Sequence, residues 1–311
     1  MFAYPLETWF FGPFDLFVEH GHRLLGSLAG MVAIVLVVVT MRNEARKSVR
    51  WFSVALLILV ICQGLLGGLR VLFDARTLAK VHGCVGPAFF AAVIGFCVVT
   101  SKWWVRQLEL DAHRPKLRAV WVVRLATLLL VMSFCQLVIG AFLRHIAVDA
   151  RPSVYTGLVA MHVRTALLLF IGTFTQWIVA QFKRFKGTGI RSSINFLMLL
   201  VVVQIMLGVG TWVVKFGWPV WFSELGFAAT FVVGEKTFIQ MNLITAHVAV
   251  GSLILAAWTF HMLRCRRVIY CPNNDLVKED IRRQRTESTP GNDTKFTADE
   301  KQSEIQPLTS S

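Results

Sequence analysis

Charge is scarce in this chain: only 16% of its 311 residues are Asp, Glu, Lys or Arg, while 55% are hydrophobic and the mean hydropathy is +0.60. A soluble domain carries about a quarter charged residues. The shortage excludes an ordinary water-soluble globule and leaves a lipid-embedded one, whose outward side chains need no polarity. Cysteine is also sparse. Cys62, Cys84, Cys97, Cys135, Cys265 and Cys271 form no CxxC or CxxCH motif, which excludes a zinc knuckle and covalent c-type haem. A basic n-region is missing as well, because the first twenty residues contain Glu7, Asp15 and Glu19, so no cleavable signal peptide is visible. Acid is the rarer sign, with 18 Asp and Glu against 32 Lys and Arg and a net charge of +14. The excess base sits in short loops between apolar runs. That is topology-determining charge rather than a basic groove, and nucleic acid is excluded as a partner.

What is present is apolar length. Seven stretches, approximately 22–40, 51–69, 79–100, 119–143, 155–181, 193–214 and 240–263, are long enough to span a hydrocarbon core about 30 Å thick as helices. The expected fold is an all-α, polytopic helix bundle in a lipid bilayer, specifically the cell (inner) membrane. Segment 215–239 is too polar and broken to span and reads as an interfacial loop; from Pro272 onward the polar tail reads as disordered. The connections 41–50, 101–118 and 182–192 and the start of the tail are rich in Lys and Arg, the alternate ones poor. The rich side is expected to be cytoplasmic, which puts residues 1–21 outside and the C-terminus inside.

A unit repeats along these runs. Gln63 and Gly67 on one run are followed by His82 on the next, Gln136 and Gly140 by His162, and Gln204 and Gly208 by His247. Each unit is a helix ending in QxxxG near the outer face, a variable loop, and a descending helix with His in its upper part. Duplicated helix pairs with pseudo-symmetric sites between them produce such a pattern. His22 fits the descending half of a unit that lacks its QxxxG helix. The pattern therefore calls for one more helix ahead of residue 1, and a start placed downstream of the true one is the preferred explanation over loss of the helix.

Imidazole inside a membrane is costly without a partner, so an intramembrane His marks function by default. A single one would be read as an interhelical hydrogen bond. Four at matching positions in His22, His82, His162 and His247 can supply two bis-imidazole haem sites near the outer face. His20, His113, His145 and His261 carry no such signal. His20 lies on a different helix face from His22, His113 is in a basic loop, and His145 and His261 are at helix ends. Glu19 and His22, three residues apart, share a helix face. A carboxylate one turn from an iron ligand can stabilise positive charge on a substrate or accept its proton; an acidic residue near a helix N-terminus is also favoured by the macrodipole alone. Arg23, Arg70, Arg144 and Arg164 are candidate partners for haem propionates, as is Lys215, for which snorkelling to lipid headgroups is the better account.

With Glu19, His22 and Arg23 forming E-x-x-H-R, Gln63 to Gly68 forming QGxxGG before His82, and His162 and His247 following their own QxxxG helices, residues 16–263 resemble the haem A synthase family of cytochrome oxidase assembly. The resemblance implies two pseudo-symmetric four-helix halves, of which this chain would hold three helices plus four. It implies an outer N-terminal segment 1–21, a substrate half 22–118 where His22 and His82 receive haem O, a cofactor half 119–263 where His162 and His247 hold haem b and its iron, and a cytoplasmic tail 264–311. The implied enzyme is an oxidoreductase acting on a CH group, oxidising the C8 methyl of haem O to a formyl by successive hydroxylations, with Glu19 as the catalytic acid residue. An electron acceptor and a contact with haem O synthase belong to the same picture. The cysteine pair that many bacterial members carry in their first outer loop is absent from residues 1–21. Two other readings use the same histidines: a bis-histidine b-type cytochrome in membrane electron transfer, which gives Glu19 no task, and a haem carrier without chemistry.

Overall fold

The computed structural model describes residues 11–73, 75–105, 119–146, 150–216 and 238–269. The expected interfacial loop lies outside these residues over 217–237, as do residues 1–10, the stretch 106–118 with His113, and everything from 270 onward, which includes Cys271 and nearly all of the expected tail.

Among the described residues there are seven long helices: α1 (Phe14–Asn43), α2 (Lys47–Leu72), α3 (Arg76–Thr100), α4 (Val120–Arg144), α5 (Pro152–Ala180), α6 (Ile190–Phe216) and α7 (Phe238–Ile269). Each is long and apolar enough to cross a membrane, and the chain is a multi-pass membrane protein. Helix is the form expected in lipid, where each backbone amide and carbonyl must be satisfied within its own segment. Every one of these helices except α4 is longer than its expected apolar span. The largest differences are at α1, which begins at Phe14 rather than near 22, and α7, which continues to Ile269 rather than ending near 263. The extensions are polar turns, such as Glu19 to Arg23 and Arg264 to Arg267. A hydropathy window excludes them, although they keep the helical hydrogen-bond ladder at the membrane surface.

Prolines mark two starts. Pro13 precedes α1 and its carbonyl accepts from Leu16 and Phe17, while Pro152 opens α5, where a missing amide costs nothing. Pro87 stands inside α3 and removes the amide that would have bonded the Gly83 carbonyl, one turn from His82.

The packing has a simple plan. Helices α4, α5, α6 and α7 form a closed ring in which each touches the next and α7 returns to α4. Helices α1, α2 and α3 form a row, and α3 joins it to the ring through α7 and α4. The packed core of the ring lies at the end that carries the basic connections. It includes Val122, Ala126, Leu129, Phe185, Ile194, Leu197, Trp258 and Cys265. Smaller clusters around Leu56 and Phe96, and around Ala91 and Leu255, bind the row together and fasten it to the ring. At this end the turn between α5 and α6 puts Gly189 at φ +78°, where a Cβ would also lie 2.6 Å from Arg264 Nη1, which donates to the Gly189 carbonyl.

The other end is packed differently. Beyond Val60 in α2, Ser133 in α4 and Val201 in α6, and before Ala91 in α3, Leu169 in α5 and Ile254 in α7, no described side chain of these six helices is buried. The halves of the helices that bear the QxxxG and His positions are thus held apart from close apolar packing.

Candidate functional site

Two pairs of histidines meet in the loosely packed half. His22 on α1 and His82 on α3 have ring centroids 6.1 Å apart with planes at 90°. His162 on α5 and His247 on α7 have centroids 6.3 Å apart with planes at 56°. In the ring α4–α7, α5 and α7 are diagonal rather than adjacent, so their imidazoles face each other across the interior. Two imidazoles bound on opposite sides of one metal, at about 2 Å per bond, hold their centroids roughly 6 to 6.5 Å apart. Both pairs have that spacing. No group of three or more His, Cys, Asp or Glu is placed to hold a bare metal ion among the described residues. Two facing imidazoles suit a metal whose remaining ligands come from a planar group, as in haem; at this level α2 to α7 bury no described side chain, while His20 on α1, beside His22, is buried.

The QxxxG positions meet the histidines directly. The Gln63 side-chain amide donates to the His82 carbonyl at 2.9 Å, and that of Gln136 to the His162 carbonyl at 2.9 Å. The Gln204 amide nitrogen meets His247 Nε2 at 3.3 Å. Bonds of this kind between membrane helices contribute about 0.6 kcal/mol each, rarely above about 1.7. The glycines make the approach: a Cβ at Gly67, Gly140 or Gly208 would lie 3.0, 3.4 or 3.3 Å from Cε1 of His82, His162 or His247. A reciprocal notch receives the glutamine, since a Cβ at Gly86 or Gly251 would lie 3.0 or 3.3 Å from the amide nitrogen of Gln63 or Gln204. Both notches sit four residues after a histidine, a spacing that was readable in the sequence and passed over. His22 and Gly26 share it, with nothing within 4 Å of a Cβ at Gly26.

Glu19 is drawn into an ion pair with Arg23 one turn further along α1, and no hydrogen bond joins it to His22. Arg23, expected as a propionate partner, therefore has a carboxylate already. Arg70 is half-buried in the last turn of α2; Arg144 at the end of α4 and Arg164 on α5 are exposed. None of these three has an acidic partner among the described residues. Nothing is described of the Lys215 side chain. His145, at the α4 C-cap, is pushed below the usual imidazole range by burial first and then by Arg144, Lys80 and Arg70, so four basic groups gather where α2 and α4 end and α3 begins.

His261 was read as an unremarkable helix-end residue, and the structure gives it a specific place. It is fully buried, with Nδ1 2.8 Å from Ser193 Oγ and Nε2 2.7 Å from Gln176 Oε1. Gln176 in turn donates to the Val122 carbonyl at 2.8 Å. This network joins α4, α5, α6 and α7 at the basic end. Ser193 and Gln176, polar residues in otherwise apolar runs, were its signal in the sequence. The described cysteines are free thiols.

The family model described as cytochrome oxidase assembly protein matches residues 10–148, which includes Glu19, His22 and His82 and stops short of His162 and His247. Among curated proteins, the haem A synthase of Alkalihalophilus pseudofirmus is 25% identical over 217 residues, 63% of this chain and 69% of that protein. No solved structure matches. The family model, the curated relative, the seven spans and the order of the motifs agree in one respect: this chain is similar to the haem A synthases of cytochrome oxidase assembly.

Proposed function

We propose that this chain works in haem A biosynthesis for cytochrome oxidase assembly, as an oxidoreductase that converts the C8 methyl group of haem O to a formyl group within the membrane. The observation that carries the reading is the ring-to-ring spacing of the two histidine pairs, 6.1 and 6.3 Å, in the half of the bundle where α2 to α7 bury no described side chain. The residues fit a porphyrin at both levels. His22 and His82 would hold the substrate haem O, and His162 and His247 a haem b cofactor, which supplies one-electron chemistry when bound.

The two sites differ in what surrounds them. The first has a carboxylate one turn from His22, and Glu19 there can stabilise positive charge developing on the substrate or take up its proton. Arg23 orients that carboxylate through their ion pair. Arg70, Arg144 and Arg164, without acidic partners among the described residues, are available to the propionates, which need pairing or solvation. The formyl oxygen comes from water, four electrons and four protons leave to an acceptor, and the product passes to assembly of the oxidase.

The test is co-expression with a source of haem O, followed by pigment extraction, for the wild-type chain and for Glu19→Gln. Wild type should yield haem A. The variant should bind haem and yield haem O alone. A wild-type extract holding only haem O would refute the synthase. A Glu19→Gln protein that still makes haem A would remove Glu19 from the reaction and favour the electron-carrying cytochrome.

A further inference from the structure

The glutamines of the repeat do more than the function above asks of them. In three helix pairs, α2 with α3, α4 with α5 and α6 with α7, a Gln reaches across to the next helix's histidine, and a Gly four residues later faces the same ring atom, Cε1. An interhelical packing device needs no amide. Oε1 of Gln63, Gln136 and Gln204 is in each case buried without a hydrogen-bond partner, a placement that leucine of similar shape would avoid at no polar cost. The amide is therefore retained for what its N–H groups hold. At the first pair the result reaches the ring: His82 Nδ1 lies 3.2 Å from the Gln63 backbone carbonyl, which can only accept. Nδ1 thus carries the proton, and Nε2 is left with the lone pair that a metal requires. At the third pair the Gln204 amide nitrogen lies 3.3 Å from Nε2 of His247, the atom a metal would take, so with haem bound this amide must turn from the ring to the His247 carbonyl, the acceptor that Gln63 and Gln136 use at their own histidines.

We propose that Gln63, Gln136 and Gln204 are positioning residues, each fixing the height of the histidine on the following helix, through its backbone carbonyl, so that Nε2 reaches the metal. The inference rests on the haem reading above. The glycines set the closest approach of the ring, and Gln and Gly act as one unit.

The experiment uses the purified, haem-loaded chain and the variants Gln136→Leu and Gln204→Leu. Low-temperature electron paramagnetic resonance of the oxidised low-spin haem reads the orientation of the axial rings, and transfer to apomyoglobin reads retention. The variants should show altered g-anisotropy and a loss of retention of roughly 10–100-fold, the usual effect of removing a group that orients a metal ligand, while keeping wild-type helix content. Wild-type spectra and retention in both variants would overturn the proposal. Should neither leucine variant fold, Gly208→Ala supplies the test, because its methyl would lie 3.3 Å from His247 Cε1 and must turn the ring; an unchanged spectrum there is equally fatal. A wild-type chain without a Soret band ends the haem reading itself and takes this inference with it, a result distinct from glutamine variants that match wild type.

Discussion

Replacing His261 and His162 by alanine in separate variants should have opposite consequences, and the contrast follows from where each ring sits. His261 is 0% exposed and bonded on both nitrogens. Its removal deletes the two short hydrogen bonds, each contributing about 0.5–1.5 kcal/mol net, together with the 3.4 Å contact of the Cys265 thiol to Nε2, and strands Gln176 Oε1, at about 1–3 kcal/mol for a buried acceptor without a donor. Ser193 retains its bond to the Ile190 carbonyl and Gln176 its bond to Val122, so those groups lose little. A cavity beside Trp258 adds to the cost. Together these make His261→Ala unstable by roughly 3–5 kcal/mol, a large part of a typical total stability of 5–15. His162 is only half-buried, its Nδ1 has no partner, and Gln136 bonds its backbone rather than its ring. His162→Ala should therefore cost the haem-free chain less than about 1 kcal/mol and abolish the low-spin haem spectrum of the second pair. Denaturant titration in detergent micelles, followed by far-ultraviolet circular dichroism, measures the first quantity. A reduced-minus-oxidised spectrum measures the second. If His261→Ala lost its haem band at wild-type stability, or lost less than about 1 kcal/mol, the division between a structural and a ligating histidine would be refuted.

Gly172→Ala should destabilise by about 1–3 kcal/mol through overpacking, since its Cβ would fall 2.4 Å from Cδ2 of buried Leu129; thermal unfolding checks it, and adding Leu129→Ala should cost less than the two single changes summed. Glu44 is held below the ordinary carboxylate value of 4.5, chiefly by its side-chain hydrogen bonds from Arg46, which also donates to the Val99 carbonyl at 3.0 Å. A depressed carboxylate stabilises the fold above its unfolded pKa and loses that contribution as pH falls through the folded value. Amide exchange at residues 44–50 should therefore quicken as pH drops below about 4.5, relative to a Glu44→Gln variant. Equal acid responses in the two proteins would refute this.

The legible features and the hidden ones divide along physical lines. Hydropathy located all seven helices because the bilayer imposes the same demand on each, yet it missed the polar turns around Glu19 and Arg264, where the helical ladder continues into water. The repeat of Gln63, Gln136 and Gln204 with its histidines could be read because helices of like direction put like positions at like depth. The Glu19–Arg23 pair could have been anticipated from its spacing of four, but the competing geometry of Glu19 with His22, three apart, is compatible with the same helix. His261 was undervalued because burial at a helix end depends on what the other helices bring there. Gln176 and Ser193 are distant in sequence and meet it only through packing.

The sequence by itself determined the number of spans, the depth of the four histidines and the kind of side chain that faces them. Those properties follow from one helix and one solvent at a time. Which rings confront each other was decided by tertiary structure: α5 and α7 become diagonal because α4 closes the ring against α7, and α1 meets α3 across α2. Tertiary structure also decided that the basic end packs densely while the histidine end stays open. That follows from how seven helices share their space, a property no single stretch of chain contains.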